Sequence, residues 1–120
     1  MDDLEWVVEN LSMQDFVFVM NEVAEAIKKS SSQGASDEQW RDSQAMDVVE
    51  EAGEFIAEYR RLKGFARRAG DREAMLSELA DVVIAAMVMF WNLDADAQHY
   101  IQKKLVKIVT RGFVNKEEPQ

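Results

Sequence analysis

Cysteine is absent from the 120-residue chain, and histidine and proline each occur only once. Without cysteine the chain has no disulfide framework, no thiolate zinc site and no cysteine nucleophile. The first nine residues carry four acids, whereas an export signal begins with a basic region followed by an apolar one. We therefore expect a cytoplasmic protein.

Basic residues are scarce as well, because 14 Lys+Arg stand against 23 Asp+Glu and give a net charge of −9. A chain with this charge repels a phosphate backbone, so we expect no nucleic-acid partner. The longest apolar run, residues 82–91, has about half of the roughly 20 residues that cross a bilayer. It predicts a buried helix and no membrane partner.

The chain is 48% hydrophobic, too apolar for a disordered acidic tail, and should fold as one domain over residues 1–120, with a core at about 12–112 and a frayed tail at 113–120. Alternating strand-like runs are missing, which predicts an all-α bundle of four to five helices. Ser36 and Gln39 are expected to cap a short turn that holds Trp40 before the second helix. The main helices are predicted over residues 13–29, 43–63 and 72–91, with a fourth from a cap at Asp94 or Asp96 to about 111.

The predicted second helix carries an acidic stripe. At about 100° per residue its members fall within an arc of roughly 100° on one face. No acid of the stripe has a Lys or Arg four residues later in the sequence, and only Glu58 has one three residues later, Arg61. The like charges therefore destabilise the helix unless another group neutralises them. The stripe is either a solvated acidic face or a site for a counter-charge. Its residues are Asp47, Glu50, Glu51, Glu54 and Glu58.

The predicted third helix adds Glu78 and Asp81, three residues apart on one face among apolar neighbours. Residues 73–102 contain no Lys or Arg, so the counter-charge is a metal ion or an arginine from a neighbouring helix, such as Arg60, Arg61 or Arg72. Carboxylates are hard oxygen donors and favour Mg²⁺ or Mn²⁺. The lone His99 lacks the paired Glu-x-x-His motifs of di-iron bundles and is read as a surface residue.

A family resemblance follows from these acids. Glu50-Glu51-Ala52-Gly53-Glu54, then 23 residues, then Glu78-Leu79-Ala80-Asp81-Val82, resembles the Glu-Glu-x-x-Glu … Glu-x-x-Asp signature of the MazG-type all-α nucleoside triphosphate pyrophosphatases. The resemblance implies Mg²⁺-dependent cleavage of a (deoxy)nucleoside triphosphate between the α- and β-phosphates, which yields the monophosphate and pyrophosphate. It implies a role in control of the nucleotide pool.

The resemblance also assigns roles to single residues. Glu51, Glu54, Glu78 and Asp81 match the direct Mg²⁺ ligands of the family. Glu50 matches an additional Glu that binds a further ion or water, and a carboxylate there can accept the proton of the attacking water. Together these five are the candidate catalytic and metal-binding residues. Gly53 matches a small position beside the last Glu, and we expect it to allow a close helix approach.

Substrate contacts are expected from bases and from the base-binding region. Lys104, Lys107 and Arg111 share one stripe of the fourth helix and resemble the family's triphosphate-binding residues, although a solvated basic face explains them too. Ile108 stands where many members have Asn. Trp40 lies where members of the family often place an aromatic residue against the nucleotide base. Core packing is the alternative role for Trp40. The remaining candidates are two amides, for which surface capping is the alternative: Asn21 and Asn92.

The third helix is more apolar than one small bundle can cover, and this predicts a homodimer or, as the resemblance implies, a homotetramer. Two other functions remain open. One is a phosphoribosyl-ATP pyrophosphohydrolase-like enzyme, a relative with the same metal chemistry. The other is a non-catalytic helical interaction module that uses the acidic face as a docking surface.

Overall fold

The computed structural model describes residue 10, residues 12–64 and residues 70–111, and this part of the chain is helical without any strand. The all-α prediction is therefore confirmed for the described residues. The tail predicted to fray, residues 113–120, lies outside them. The four helices are α1 (Met13–Ser31), α2 (Asp37–Leu62), α3 (Arg72–Asn92) and α4 (Ala97–Thr110).

Side-chain caps begin the helices. The Ser36 hydroxyl accepts a hydrogen bond from the Gln39 N–H at 3.1 Å, and the Gln39 side chain accepts one from the Ser36 N–H at 2.9 Å. This capping box begins α2 itself, so the separate short turn predicted around Trp40 is wrong and the predicted start at residue 43 comes six residues after Asp37. The reason is that helical hydrogen bonding runs unbroken from the Trp40 N–H, which donates to the Ser36 carbonyl at 2.9 Å.

The end of α2 and the start of α4 lie close to their predicted positions. Gly64, after the cap residue Lys63, has a φ of 81°, a left-handed conformation that glycine adopts without steric cost and that ends α2. Asp96 caps α4 by accepting from the His99 N–H at 3.4 Å. Asp94 instead takes a turn conformation with a φ of 53°.

Helix α3 is central, because it contacts each of the other three described helices and α2 most extensively. The buried core lies where α1, the carboxyl-terminal half of α3 and the start of α4 meet. Phe16, Val17, Ile27, Phe90 and Trp91 pack around it. The core consists of Met20, Ala24, Met87, Val88 and Ala97.

The prediction that residues 82–91 form part of a buried helix is only partly met in the single chain. Met87 and Val88 are buried, yet Val83 and Ile84 are exposed, because α4 packs only near the end of α3. Within the described residues, α3 alone is long and apolar enough to cross a bilayer by length and composition, a test that the core helix of a soluble protein also passes. The uncovered part of α3 is thus an exposed apolar surface of the single chain.

Candidate metal site

Three carboxylates from two helices meet on one side of the α2–α3 pair. Glu51, Glu54 and Glu78 each offer an oxygen, and these oxygens all lie within 4.8 Å of one another. Glu51 and Glu78 are half-buried and Glu54 is exposed. Since Mg²⁺ binds oxygen at about 2.1 Å, two ligands of one ion lie up to about 4.2 Å apart, close to the separation of the oxygens in this cluster.

Two oxygens of the cluster are buried without a hydrogen-bond partner, Oε2 of Glu51 and Oε2 of Glu78. A buried carboxylate oxygen loses its hydration, and the loss is offset only by a donor, a proton or a cation. Among the described residues, no side chain supplies such a donor or cation to these two oxygens.

The pKa values of the same two residues reflect this environment. Loss of hydration raises the pKa of Glu51 above its ordinary value, and the charges of Glu54 and Asp81 raise it further. The pKa of Glu78 is raised by the same three causes. Both residues therefore keep a proton to higher pH than an isolated carboxylate does.

The alternative of an arginine partner finds no support among the described residues. Their ion pairs join Lys28 to Asp37, Lys29 to Glu25 and Arg61 to Glu58. Arg61 thus pairs with an acid of its own helix, as its spacing indicates, and none of these pairs reaches Glu51, Glu54, Glu78 or Asp81.

The two remaining predicted ligands lie differently. Asp81 is exposed, but its charge acts on both Glu51 and Glu78, and with Glu51 it lines a pocket of about 160 Å³. Glu50 is exposed, and it is not part of the three-oxygen cluster or of this pocket. One residue along a helix is a rotation of about 100°, which turns Glu50 away from the side that Glu51 occupies.

The pocket beside the acids has a polar wall and an apolar floor. Gln44, which is buried, donates a hydrogen bond to Asp47 at 3.2 Å, and both residues line the wall. Sequence reasoning missed Gln44 as a site residue, although it stands three residues before Asp47 on the acidic side of α2. The floor consists of Ile27, Ile84, Ala85 and Val88.

Trp40 and Asn92, two of the predicted substrate contacts, bind each other. The Trp40 indole N–H donates to Asn92 Oδ1 at 2.8 Å, and Asn92 Nδ2 donates to the Val88 carbonyl at 2.9 Å. Trp40 is 6% exposed and Asn92 is 8% exposed. This burial agrees with core packing, the alternative role given above for Trp40. Asn21 lies exposed on α1. Contact of these three residues with a base stays a prediction.

The basic candidates lie elsewhere in the single chain. Lys104 and Lys107 line a pocket of about 500 Å³ with Lys103, Phe90 and Tyr100, and no described residue of α4 lines the acidic pocket. Arg111 caps the end of α4 and is exposed. The described chain therefore does not bring these bases to the acids.

Gly53 does not have the role expected for it. A Cβ built at this position meets no atom within 4 Å, so no described helix of the chain approaches it closely. The close approach predicted at Gly53 is wrong, because the residue lies on an exposed part of α2.

Comparison of the chain with protein-family models, with curated proteins and with solved structures finds no match.

Proposed function

We propose that the chain is a Mg²⁺-dependent nucleoside triphosphate pyrophosphohydrolase, which converts a (deoxy)nucleoside triphosphate to the monophosphate and pyrophosphate. The observation that carries this proposal is the meeting of Glu51, Glu54 and Glu78 across two helices, with two buried oxygens left without a partner. These residues belong to the acidic signature that resembles the MazG-type family.

The donor set fits a hard divalent cation. The cluster offers only carboxylate oxygens, which Mg²⁺ prefers, and Mn²⁺ is the natural substitute. A bound ion would neutralise charge on the phosphate oxygens and lower the pKa of a water molecule.

In this proposal the candidate residues have different roles. Glu51, Glu54 and Glu78 hold the ion, and Asp81 adds a fourth carboxylate at the border with the pocket. Glu50 lies outside the cluster but one helical turn before Glu54 on α2, and in this proposal it accepts the proton of the attacking water. The pocket with its polar wall at Gln44 and its apolar floor receives the nucleoside.

Lys104, Lys107 and Arg111 bind the phosphates in this proposal. Lys104 and Lys107 lie in a different pocket from the acids of the same chain, so their contact with the substrate requires a neighbouring chain. Comparing KM and kcat of Lys104→Ala and Lys107→Ala with those of Lys29→Ala, a lysine on α1, tests this step. Unchanged KM in both α4 variants would remove these lysines from the substrate site.

We also propose that the protein is a homodimer or homotetramer, because many large apolar side chains of α3 and α4 are exposed in the single chain. Light scattering at micromolar concentration should give a mass of at least two chains, and Leu105→Glu with Val83→Glu should lower it. A monomeric wild type contradicts this part. The exposed side chains include Leu76, Leu79, Val83, Ile84, Tyr100, Ile101, Leu105, Val106 and Ile108.

The decisive experiment is a screen of deoxy- and ribonucleoside triphosphates and of phosphoribosyl-ATP for pyrophosphate release with Mg²⁺. Glu54→Gln and Asp81→Asn should each abolish turnover while the helical circular dichroism is retained. Glu22→Gln, an exposed acid on α1, is the matched control and should keep full activity. Turnover retained in Glu54→Gln would refute the assignment, and turnover only of phosphoribosyl-ATP would favour the related enzyme.

The interaction module remains the second candidate, and the exposed apolar surface of α3 and α4 favours it. It predicts that the wild type releases no pyrophosphate from any nucleotide and gains no thermal stability from Mg²⁺.

A further inference from the structure

A buried hydrogen bond joins α2 to α3 at the end of the helix pair away from the three-carboxylate cluster. The Trp40 N–H donates to Asn92 Oδ1 at 2.8 Å, and the same amide is oriented by its bond to the Val88 carbonyl at 2.9 Å. Both side chains are more than nine-tenths buried. The bond to the Val88 carbonyl thus holds the Asn92 amide in one orientation. The Trp40 N–H then has one position in which it reaches the Asn92 oxygen.

The register of the two antiparallel helices can be read from this bond. Glu51 lies eleven residues after Trp40 on α2, and Asp81 lies eleven residues before Asn92 on α3. Glu51 and Asp81 line the same pocket. Three residues further along each helix are Glu54 and Glu78, which lie in one cluster. Eleven residues are about three helical turns, so the bond and the carboxylates lie on the same side of each helix.

The apolar contact between the helices does not by itself define this register. Apolar ridges can also pack after a shift of one turn, about 5.4 Å, whereas a directional bond between buried groups cannot be kept after such a shift. A shift of one turn would separate Glu54 from Glu78 and dismantle the cluster. Buried polar groups that select one register are known from helix pairs in general.

We propose that Trp40 and Asn92 are positioning residues, whose hydrogen bond sets the α2–α3 register and thereby the affinity of the carboxylate cluster for a divalent cation. This inference rests on the metal site of the proposed function. It assigns to Trp40 and Asn92 a role that needs no nucleotide, so it is measured without one.

The experiment is titration calorimetry of the metal-free protein with MgCl₂ and with MnCl₂ in the absence of nucleotide. Trp40→Phe keeps an aromatic ring and removes the N–H, and Asn92→Leu removes the acceptor with a side chain of similar size. Each should weaken cation affinity at least about tenfold, in the range typical of groups that orient metal ligands. Trp91→Phe, the same chemical change at a neighbouring position packed against the core, is the control and should bind as the wild type does.

The double variant Trp40→Phe/Asn92→Leu separates positioning from stability. Replacing both partners by apolar groups leaves no buried donor or acceptor of this bond unpaired, so thermal stability should recover relative to the single variants. Cation affinity should stay weak, because the directional bond is still missing. Recovery of affinity together with stability would overturn the positioning role.

A distance measurement keeps the proposal testable if a single variant does not fold. The chain has no cysteine, so nitroxide labels can be placed at Met46→Cys in α2 and Ser77→Cys in α3, both exposed. In the double variant the distance distribution should broaden or shift by about one helical turn, and an unchanged distribution would overturn the proposal. If the wild type itself binds neither cation, the proposed metal site fails and the inference fails with it. If the wild type binds and the double variant binds equally well, only the inference fails.

Discussion

Glu54 of α2 and Glu78 of α3 face each other across the helix pair, with one carboxylate oxygen of each within 4.8 Å of the other. Two ionised carboxylates at this separation repel each other, and a proton or a cation between them relieves the repulsion. At the proposed metal site a proton and a divalent cation would therefore compete for the same place. Occupancy of the proposed site would then depend on pH and on metal concentration.

Mg²⁺ should stabilise the wild type against heat. At a free concentration of about 100 times Kd, mass action raises the melting temperature by on the order of 10 °C for a domain of this size. Glu54→Gln should lose most of this shift, because it removes the carboxylate that lies close to both Glu51 and Glu78. Differential scanning fluorimetry with EDTA or MgCl₂ measures it, and Glu22→Gln should retain the wild-type shift. An equal shift in Glu54→Gln would exclude a cation at this cluster.

The stability of the metal-free protein should depend on pH through Glu51 and Glu78. Because their pKa values are raised on folding, they contribute stability below the ordinary Glu pKa of 4.5, and this contribution is lost as pH rises through the raised values. In EDTA the free energy of unfolding should therefore fall as pH rises from 4.5 towards 7, more in the wild type than in Glu51→Gln/Glu78→Gln. Saturating Mg²⁺ should oppose this trend, since the ion binds the ionised form. Urea unfolding across this range gives the difference, and identical slopes in both proteins would contradict the shifts.

Two glycines should respond to alanine in opposite directions. Gly53→Ala should stabilise the protein by about 0.5–1 kcal/mol, because the site is helical and an added Cβ meets nothing within 4 Å. Gly70→Ala should destabilise it by at least about 1 kcal/mol, because the Cβ would overlap the Leu62 backbone nitrogen and lie 2.7 Å from the Arg61 carbonyl carbon. Urea unfolding of both variants measures the two effects. Loss of stability in Gly53→Ala would mean that this position is covered by a partner.

The capping box should stabilise the start of α2. Ser36→Ala removes the acceptor of the Gln39 N–H and should cost about 1 kcal/mol. Ser43→Ala, an exposed serine within α2, is the matched control and should be neutral or slightly stabilising. Thermal unfolding of the two variants makes the comparison. If Ser36→Ala were neutral, α2 would begin further along, near the predicted residue 43.

Local signals predicted most of the helices and the acidic face. Ser12 and Asp71 cap helices that begin at the predicted residues 13 and 72, Asp96 is one of the two predicted caps of α4, and the spacing of Glu51 and Glu54 already placed both on one side of α2. The start of α2 was missed because a capping box looks the same before a short turn and before a long helix. Gln44 was missed because a glutamine within a helix carries no signal of burial.

The sequence by itself determined the helices and the presence of unpaired acids on two of them, because caps, helical periodicity and the lack of bases at i+4 act within a few residues. Only the tertiary structure decided that Glu78 meets Glu51 and Glu54, that Trp40 binds Asn92, 52 residues away, and that Lys104 and Lys107 line a separate pocket. These relations depend on the register and packing of whole helices. That register follows from the sum of many contacts between distant residues, and no local pattern contains it.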